Sequence, residues 1–114
     1  MGRCVLIVDD NRLFRKMVKN ILAREGLFDE YLEAGDGEEA IRLLQSEAVD
    51  VDLALVDLIM PRSGGVDIIN WARESERYRD LPIVVLTVES RSEVKAQGFD
   101  IGASDYIVKP FDPI

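Results

Sequence analysis

Five residues in this sequence are of types that could act together in chemistry: Asp9, Asp10, Asp57, Thr87 and Lys109. They close short apolar runs, residues 4–8, 53–56, 83–86 and 106–108, with Asp9 and Asp10 together ending the first. If those runs are strands of one sheet, three carboxylates, one hydroxyl and one ammonium gather at a single edge. Magnesium prefers oxygen ligands in octahedral geometry and keeps several waters, so two or three carboxylates would hold it loosely. Crowded carboxylates repel one another without a cation, and that repulsion gives such a site its affinity for metal. A carboxylate can also attack phosphorus and form an acyl phosphate. The incoming phosphoryl oxygens must then be neutralised, a task for Mg²⁺, Lys109 and Thr87. The adduct would carry more charge and more acceptor oxygens than the free Asp. Movement of the Thr87 hydroxyl toward one of them would open space for Tyr106 to fill, which is the two-state element a switch requires.

The elements that would position these residues alternate along the chain. Residues 4–8, Cys-Val-Leu-Ile-Val, form a continuous apolar run, as expected of a strand buried on both faces. Asn11 then offers an N-cap, Leu13, Phe14, Met17, Val18, Ile21 and Leu22 recur at helical spacing, and Gly26 stops the helix. Residues 31–34 read as a second strand, and Asp36-Gly37 as a turn and helix start followed by Ala40, Ile41, Leu43 and Leu44. After the third strand, Met60-Pro61 and Gly64-Gly65 mark a loop, and Ile68, Ile69 and Ala72 a third helix. Leu81-Pro82 leads into the fourth strand, a fourth helix is expected within 92–101, and the fifth strand is 106–108. Such β-α alternation argues for a parallel sheet covered by helices on both faces. Ligands of such sheets bind beyond the carboxyl ends of the strands, where strand order reverses. Asp112-Pro113 is a helix-start signal. A fifth helix is thus announced but not supplied, and the expectation is a single domain over 1–114, truncated just after that helix begins.

Composition narrows the function. The 114 residues are 47% apolar and 32% charged, enough apolar character for one real core. Lys plus Arg number 14 against 22 Asp plus Glu, and a net charge of −8 argues against direct nucleic-acid binding, which needs a basic face. An acidic surface suits a soluble partner with a basic patch. No histidine is present, which excludes a Ser/His triad, a His-ligated zinc site and a self-contained phosphohistidine relay. The single cysteine, Cys4, excludes an internal disulfide and reads as a core thiol. With neither a signal peptide nor a membrane-length apolar run, a cytoplasmic protein is expected. Trp71 is expected to pack or lie half exposed, and the Glu38-Glu39 and Arg-rich segments read as solvated faces.

The motifs, taken in order, resemble the response-regulator receiver domains of two-component signalling, over essentially the whole chain. Val5-Leu-Ile-Val-Asp-Asp-Asn11 looks like that family's first strand and acidic pair, and Ala34-Gly-Asp-Gly-Glu-Glu-Ala40 like the start of its second helix. Leu55-Val-Asp-Leu-Ile-Met-Pro61 looks like the phosphoacceptor strand and its Met-Pro turn. Leu86-Thr87 and Gly102-Ala-Ser-Asp-Tyr-Ile-Val-Lys-Pro-Phe111 are similar to the hydroxyl position and the ending around the fifth strand. The resemblance implies a flavodoxin-like, doubly wound α/β fold with a five-stranded parallel sheet of order 2-1-3-4-5 and helices on both faces. It implies that Asp57 is phosphorylated, that Asp10 ligates Mg²⁺ directly and Asp9 through water, and that the backbone carbonyl of Ile59 and Asp57 share the metal shell. Lys109 would pair with the phosphoryl group, and Thr87 and Tyr106 would form the switch pair, changing the surface around helix four and strand five. The phosphate donor would be a sensor histidine kinase or phosphotransfer protein. An output domain or target protein, or a homodimer, would be further partners, with no membrane and no nucleic acid bound by this domain. Val88 stands where the family more often has Ala or Gly, and Ser63-Gly64-Gly65 replaces its more usual apolar-acidic-Gly loop end.

On this reading the chain is a signalling switch and not an enzyme, catalysing at most its own phosphorylation and dephosphorylation. A degenerate receiver acting only as a protein-interaction module is the alternative, and the presence of all five site residues argues against it. An Asp-nucleophile phosphohydrolase wants a second Asp two residues after the nucleophile, where this chain has Ile59. A flavin mononucleotide carrier wants a hydroxyl- and Gly-rich phosphate loop, where this chain has Asp9-Asp10-Asn11.

Overall fold

The computed structural model describes residues 2–57, 64–87 and 105–108. Five strands, β1 (Cys4–Val8), β2 (Glu30–Ala34), β3 (Leu53–Asp57), β4 (Ile83–Thr87) and β5 (Asp105–Val108), alternate with three described helices, α1 (Arg12–Glu25), α2 (Gly37–Gln45) and α3 (Gly65–Glu74). All strand pairings are parallel and the order is β2-β1-β3-β4-β5, the expected one. The segments expected to form the fourth helix and to begin a fifth lie outside the described residues, as do Ile59, Val88 and Lys109.

Local signals account for the elements. The Asn11 side chain accepts from the Phe14 N–H at 3.1 Å, capping α1, and Gly26 ends it in the left-handed region at φ 67°. Asp36 caps α2 in the same way, accepting from Glu39 N–H at 2.8 Å. Strands β3 and β4 run one residue beyond their apolar runs, because Asp57 and Thr87 are themselves register partners of Leu86 and Val108. Backbone pairing is indifferent to side-chain polarity, so the ladder continues where the hydropathy pattern stops.

Right-handed crossovers then dictate which face each helix covers. The chain leaves β1 in one direction for β2 and returns in the other for β3 and β4, so α1 lies on one face and α2 and α3 on the other. Val5 and Ile7 accordingly pack with Phe14, Val18 and Leu22 of α1. Leu6 and Val8 pack with Ala40 and Leu44 of α2 and Ile68, Ile69 and Ala72 of α3. Every residue of β1 is buried, as its unbroken apolar run requires.

The edge of the sheet away from the strand carboxyl ends is tied by charge. Cys4 N–H donates to Asp52 Oδ2 and Asp52 N–H to the Cys4 carbonyl, both at 2.8 Å. Two arginines hold loops together, Arg73 half-buried and Arg77 from a solvated face. Arg73 donates to the carbonyls of Arg79 at 3.0 Å and Leu81 at 2.7 Å, and burial lowers its guanidinium below the ordinary value. Arg77 bridges the α2–β3 and α3–β4 connections, donating to the carbonyls of Ser46 and Val49 and to the Asp50 carboxylate, and it lies over the Tyr78 ring. Trp71 is half-buried beside that same ring.

Cys4 is a core residue, as expected. Burial first, then the nearby Glu30 and Asp52, push its thiol up from 9.0 to about 11. Thiolate is the reacting form, so native protein at pH 8 is expected to resist an aromatic disulfide reagent that labels the unfolded chain fully. Rapid stoichiometric labelling of the native state would contradict this environment. The sign for stability follows: the folded state keeps its proton up to about 11 while the unfolded thiol releases it near 9.0, so this contribution is lost as pH rises through that window.

Candidate functional site

The reversal of strand order falls at β1, whose neighbours are β2 on one side and β3 on the other. The crevice beyond the carboxyl ends of β1 and β3 is where ligands bind in sheets of this topology. Register brings its two sides level. Val8 is the partner of Val56, so the next residues, Asp9 and Asp57, stand side by side at that crevice.

Three carboxylates meet there. One oxygen each from Asp9, Asp10 and Asp57 lies within 4.8 Å of the others. Asp9 is fully buried and Asp57 is only 8% exposed, whereas Asp10 faces solvent. The acidic pair does not cap α1, because Asn11 does. Asp9 is held from three directions: its N–H donates to the Ala34 carbonyl at 3.1 Å, its Oδ1 accepts from Asn11 N–H at 2.9 Å, and its own carbonyl accepts from Arg15 Nη1. Arg15 in turn pairs through Nε with Glu33 Oε1 at 3.0 Å.

The donor set suits a small hard cation. Octahedral oxygens at about 2.1 Å from magnesium stand about 3 Å apart when adjacent and about 4 Å apart when opposite. Three carboxylate oxygens already within 4.8 Å of one another need only small movements to share such an ion directly or through its waters. Among the described residues no other group of this kind occurs. Asp29 and Asp52, by contrast, are engaged with the backbone of Arg3 and Cys4 at the far edge.

Of the residues singled out from the sequence, Asp9, Asp10 and Asp57 come together. Thr87 closes β4, one strand along from Asp57, and Tyr106 lies on β5 in register with Val85. Lys109 and Ile59 lie outside the described residues. Arg15 was not anticipated. Its partner Glu33 is 18 residues away, and no local pattern announces an ion pair across that distance.

Comparison with known proteins supports the same assignment. The family model described as the response regulator receiver domain matches residues 5–114. The chemotaxis protein CheY1 of Helicobacter pylori is 35% identical over 109 residues, covering 96% of this chain and 86% of that protein. The transcriptional regulatory protein YvrH of Bacillus subtilis is 39% identical over 110 residues, covering 96% of this chain but 44% of the relative. Among solved structures, the chemotaxis protein CheY4 of Vibrio cholerae superposes with a TM-score of 0.89 at 34% identity, covering 99% of this chain and 91% of that one. Sheet order, acidic crevice and similarity along nearly the whole length agree, and this chain belongs to the response regulator receiver domains of two-component signalling.

Proposed function

We propose that this domain is a phosphorylation-dependent switch in which Asp57 accepts a phosphoryl group from a phosphohistidine on a sensor kinase or phosphotransfer protein. The observation that carries the reading is the gathering of the Asp9, Asp10 and Asp57 carboxylates at the switch point of the sheet. An Asp57 oxygen attacks phosphorus in line with the phosphorus–nitrogen bond, which breaks. The phosphoryl group passes to the carboxylate as an acyl phosphate, and the departing imidazole takes up a proton. Asp10 would hold Mg²⁺ directly and Asp9 through water, with Asp57 and the Ile59 carbonyl completing the protein's share. When bound, the cation supplies positive charge against the phosphoryl oxygens.

The remaining roles belong to the chain itself. Lys109 follows β5 and would pair with the transferred group. Thr87 would donate its hydroxyl to a phosphoryl oxygen, and Tyr106 would follow it, altering the surface around β5 and the segment before it. The domain would act on no substrate beyond its own phosphate. A kinase or phosphotransfer protein is the partner on the donor side, and an output domain or target on the other. On α1, the helix that follows the acidic pair, Arg12, Leu13, Lys16, Lys19 and Asn20 line a groove with Glu33, and Leu13 is 78% exposed. This is a basic, partly apolar face on a chain of net charge −8, and it suits a partner's approach to Asp57.

The test is intact mass after incubation with acetyl phosphate and Mg²⁺. One added phosphoryl group is expected, and none when a chelator replaces the metal. No gain from acetyl phosphate or from a panel of phosphorylated sensor kinases would overturn the reading and leave a domain that acts by contact alone.

A further inference from the structure

Arg15 is the one described cation bonded to the backbone of an acidic-crevice residue. It lies on the first turn of α1, is 15% exposed, and spans two strands. Nη1 donates to the Asp9 carbonyl, and Nε donates to Glu33 of β2 at 3.0 Å. The guanidinium is a rigid planar fork, so fixing one nitrogen on Glu33 sets where the others point. Asp9 closes the turn from β1 into α1, and its carboxylate is already oriented by Asn11 N–H. Arg15 therefore completes a frame in which N–H, carbonyl and carboxylate of Asp9 are all held.

We propose that Arg15 is a positioning residue for the cation site, locking the Asp9–Asp10 turn through the Asp9 carbonyl while Glu33 offsets its charge. The inference rests on reading the Asp9–Asp10–Asp57 cluster as a Mg²⁺ site. Charge and position predict opposite signs here, which makes the role testable. A positive side chain beside a cation site weakens binding, so if Arg15 acted through charge alone its removal would tighten Mg²⁺. If it acts by holding the ligand-bearing turn, removal loosens the site and weakens Mg²⁺. Groups that orient metal ligands from behind cost about 10–100-fold in affinity when removed. The Glu33 pairing explains how an arginine is tolerated so near three carboxylates that must attract a cation.

The experiment is calorimetric titration of the whole chain with MgCl₂, comparing wild type, Arg15→Met, Arg15→Lys, Glu33→Gln and Asp10→Asn, each checked for fold by circular dichroism. Arg15→Met is expected to weaken Mg²⁺ by about 10-fold or more. Arg15→Lys should recover part of that loss, because an ammonium can still donate to the Asp9 carbonyl but does not fork onto Glu33. Glu33→Gln should weaken Mg²⁺ less, and the deficit should shrink as salt rises, since it leaves an uncompensated charge. Affinity unchanged or tighter in Arg15→Met overturns the proposal. If that variant does not fold, Arg15→Lys decides: wild-type affinity overturns the proposal, and a weaker one supports it. Failure of the underlying site is a separate result, in which wild type binds no Mg²⁺ or Asp10→Asn binds it equally well.

Discussion

Asp57→Asn is expected to take up no phosphoryl group where the wild type takes up one, a loss to background in intact mass. The amide has nearly the shape of the carboxylate but is a poor nucleophile, and it cannot form the acyl phosphate. Asp57 sits within the β3–β4 ladder opposite Leu86 and is nearly buried, so its position survives the change. Stability should move the other way from activity. The substitution removes one of three negative charges whose oxygens lie within 4.8 Å of one another, easing their repulsion in metal-free protein. The metal-free thermal midpoint should therefore hold or rise, by about 4–8 °C for each kcal/mol gained. If the cluster holds Mg²⁺ as proposed, the cation should raise the midpoint less in Asp57→Asn than in the wild type, because a neutral amide oxygen replaces a charged one. A variant that still gains one phosphoryl group would place the acceptor elsewhere, and digestion with peptide mass mapping would locate it.

The largest stability effect is expected from Leu6→Ala. Leu6 is completely buried at the centre of β1, with Leu32 of β2 and Ala54 of β3 as its register partners. Its side chain joins the core beneath α2 and α3. Strands paired on both sides hold β1 in place, and Ala54 is too small to fill the gap, so little of the cavity can close. Buried Leu→Ala changes of this kind cost about 2–5 kcal/mol, against a total of about 5–15 kcal/mol for a domain of this size. Urea unfolding should show a lower midpoint with an unchanged slope. Leu13→Ala is the matched control. At 78% exposure it should change stability by no more than about 0.5 kcal/mol. A Leu6→Ala loss as small as that of Leu13→Ala would mean that β1 is not the packed centre of the sheet. Because the Leu6 side chain packs in the core and not among the three carboxylates, phosphorylation of Leu6→Ala should fall with the folded fraction and no further.

Much of this protein follows from the order of its residues. Apolar runs too short for buried helices, separated by helical-period segments with Asn11, Asp36 and Gly26 as their punctuation, determine β-α alternation, because each signal is local and acts through backbone sterics and capping. A polar residue at the end of successive runs marks one edge of the sheet, and that is why Asp9, Asp10 and Asp57 were legible before any fold was built. Tertiary structure alone decided the rest. The Val8–Val56 register, which sets Asp9 level with Asp57, is a relation between segments 48 residues apart. Asp9, whose N–H bonds the end of β2, is buried while Asp10 beside it is exposed, a difference set by packing. The partners of Arg73, Arg77 and Arg15 left no trace in the sequence, because which carbonyl a guanidinium meets is set by how the chain turns and packs, whether that carbonyl lies six residues away or thirty-one. Residue types and spacing determine which groups are available and at which edge; distances and partners arise only when segments remote in the chain pack, since side-chain hydrogen bonds and charge pairs act over a few ångströms of space and not along the sequence.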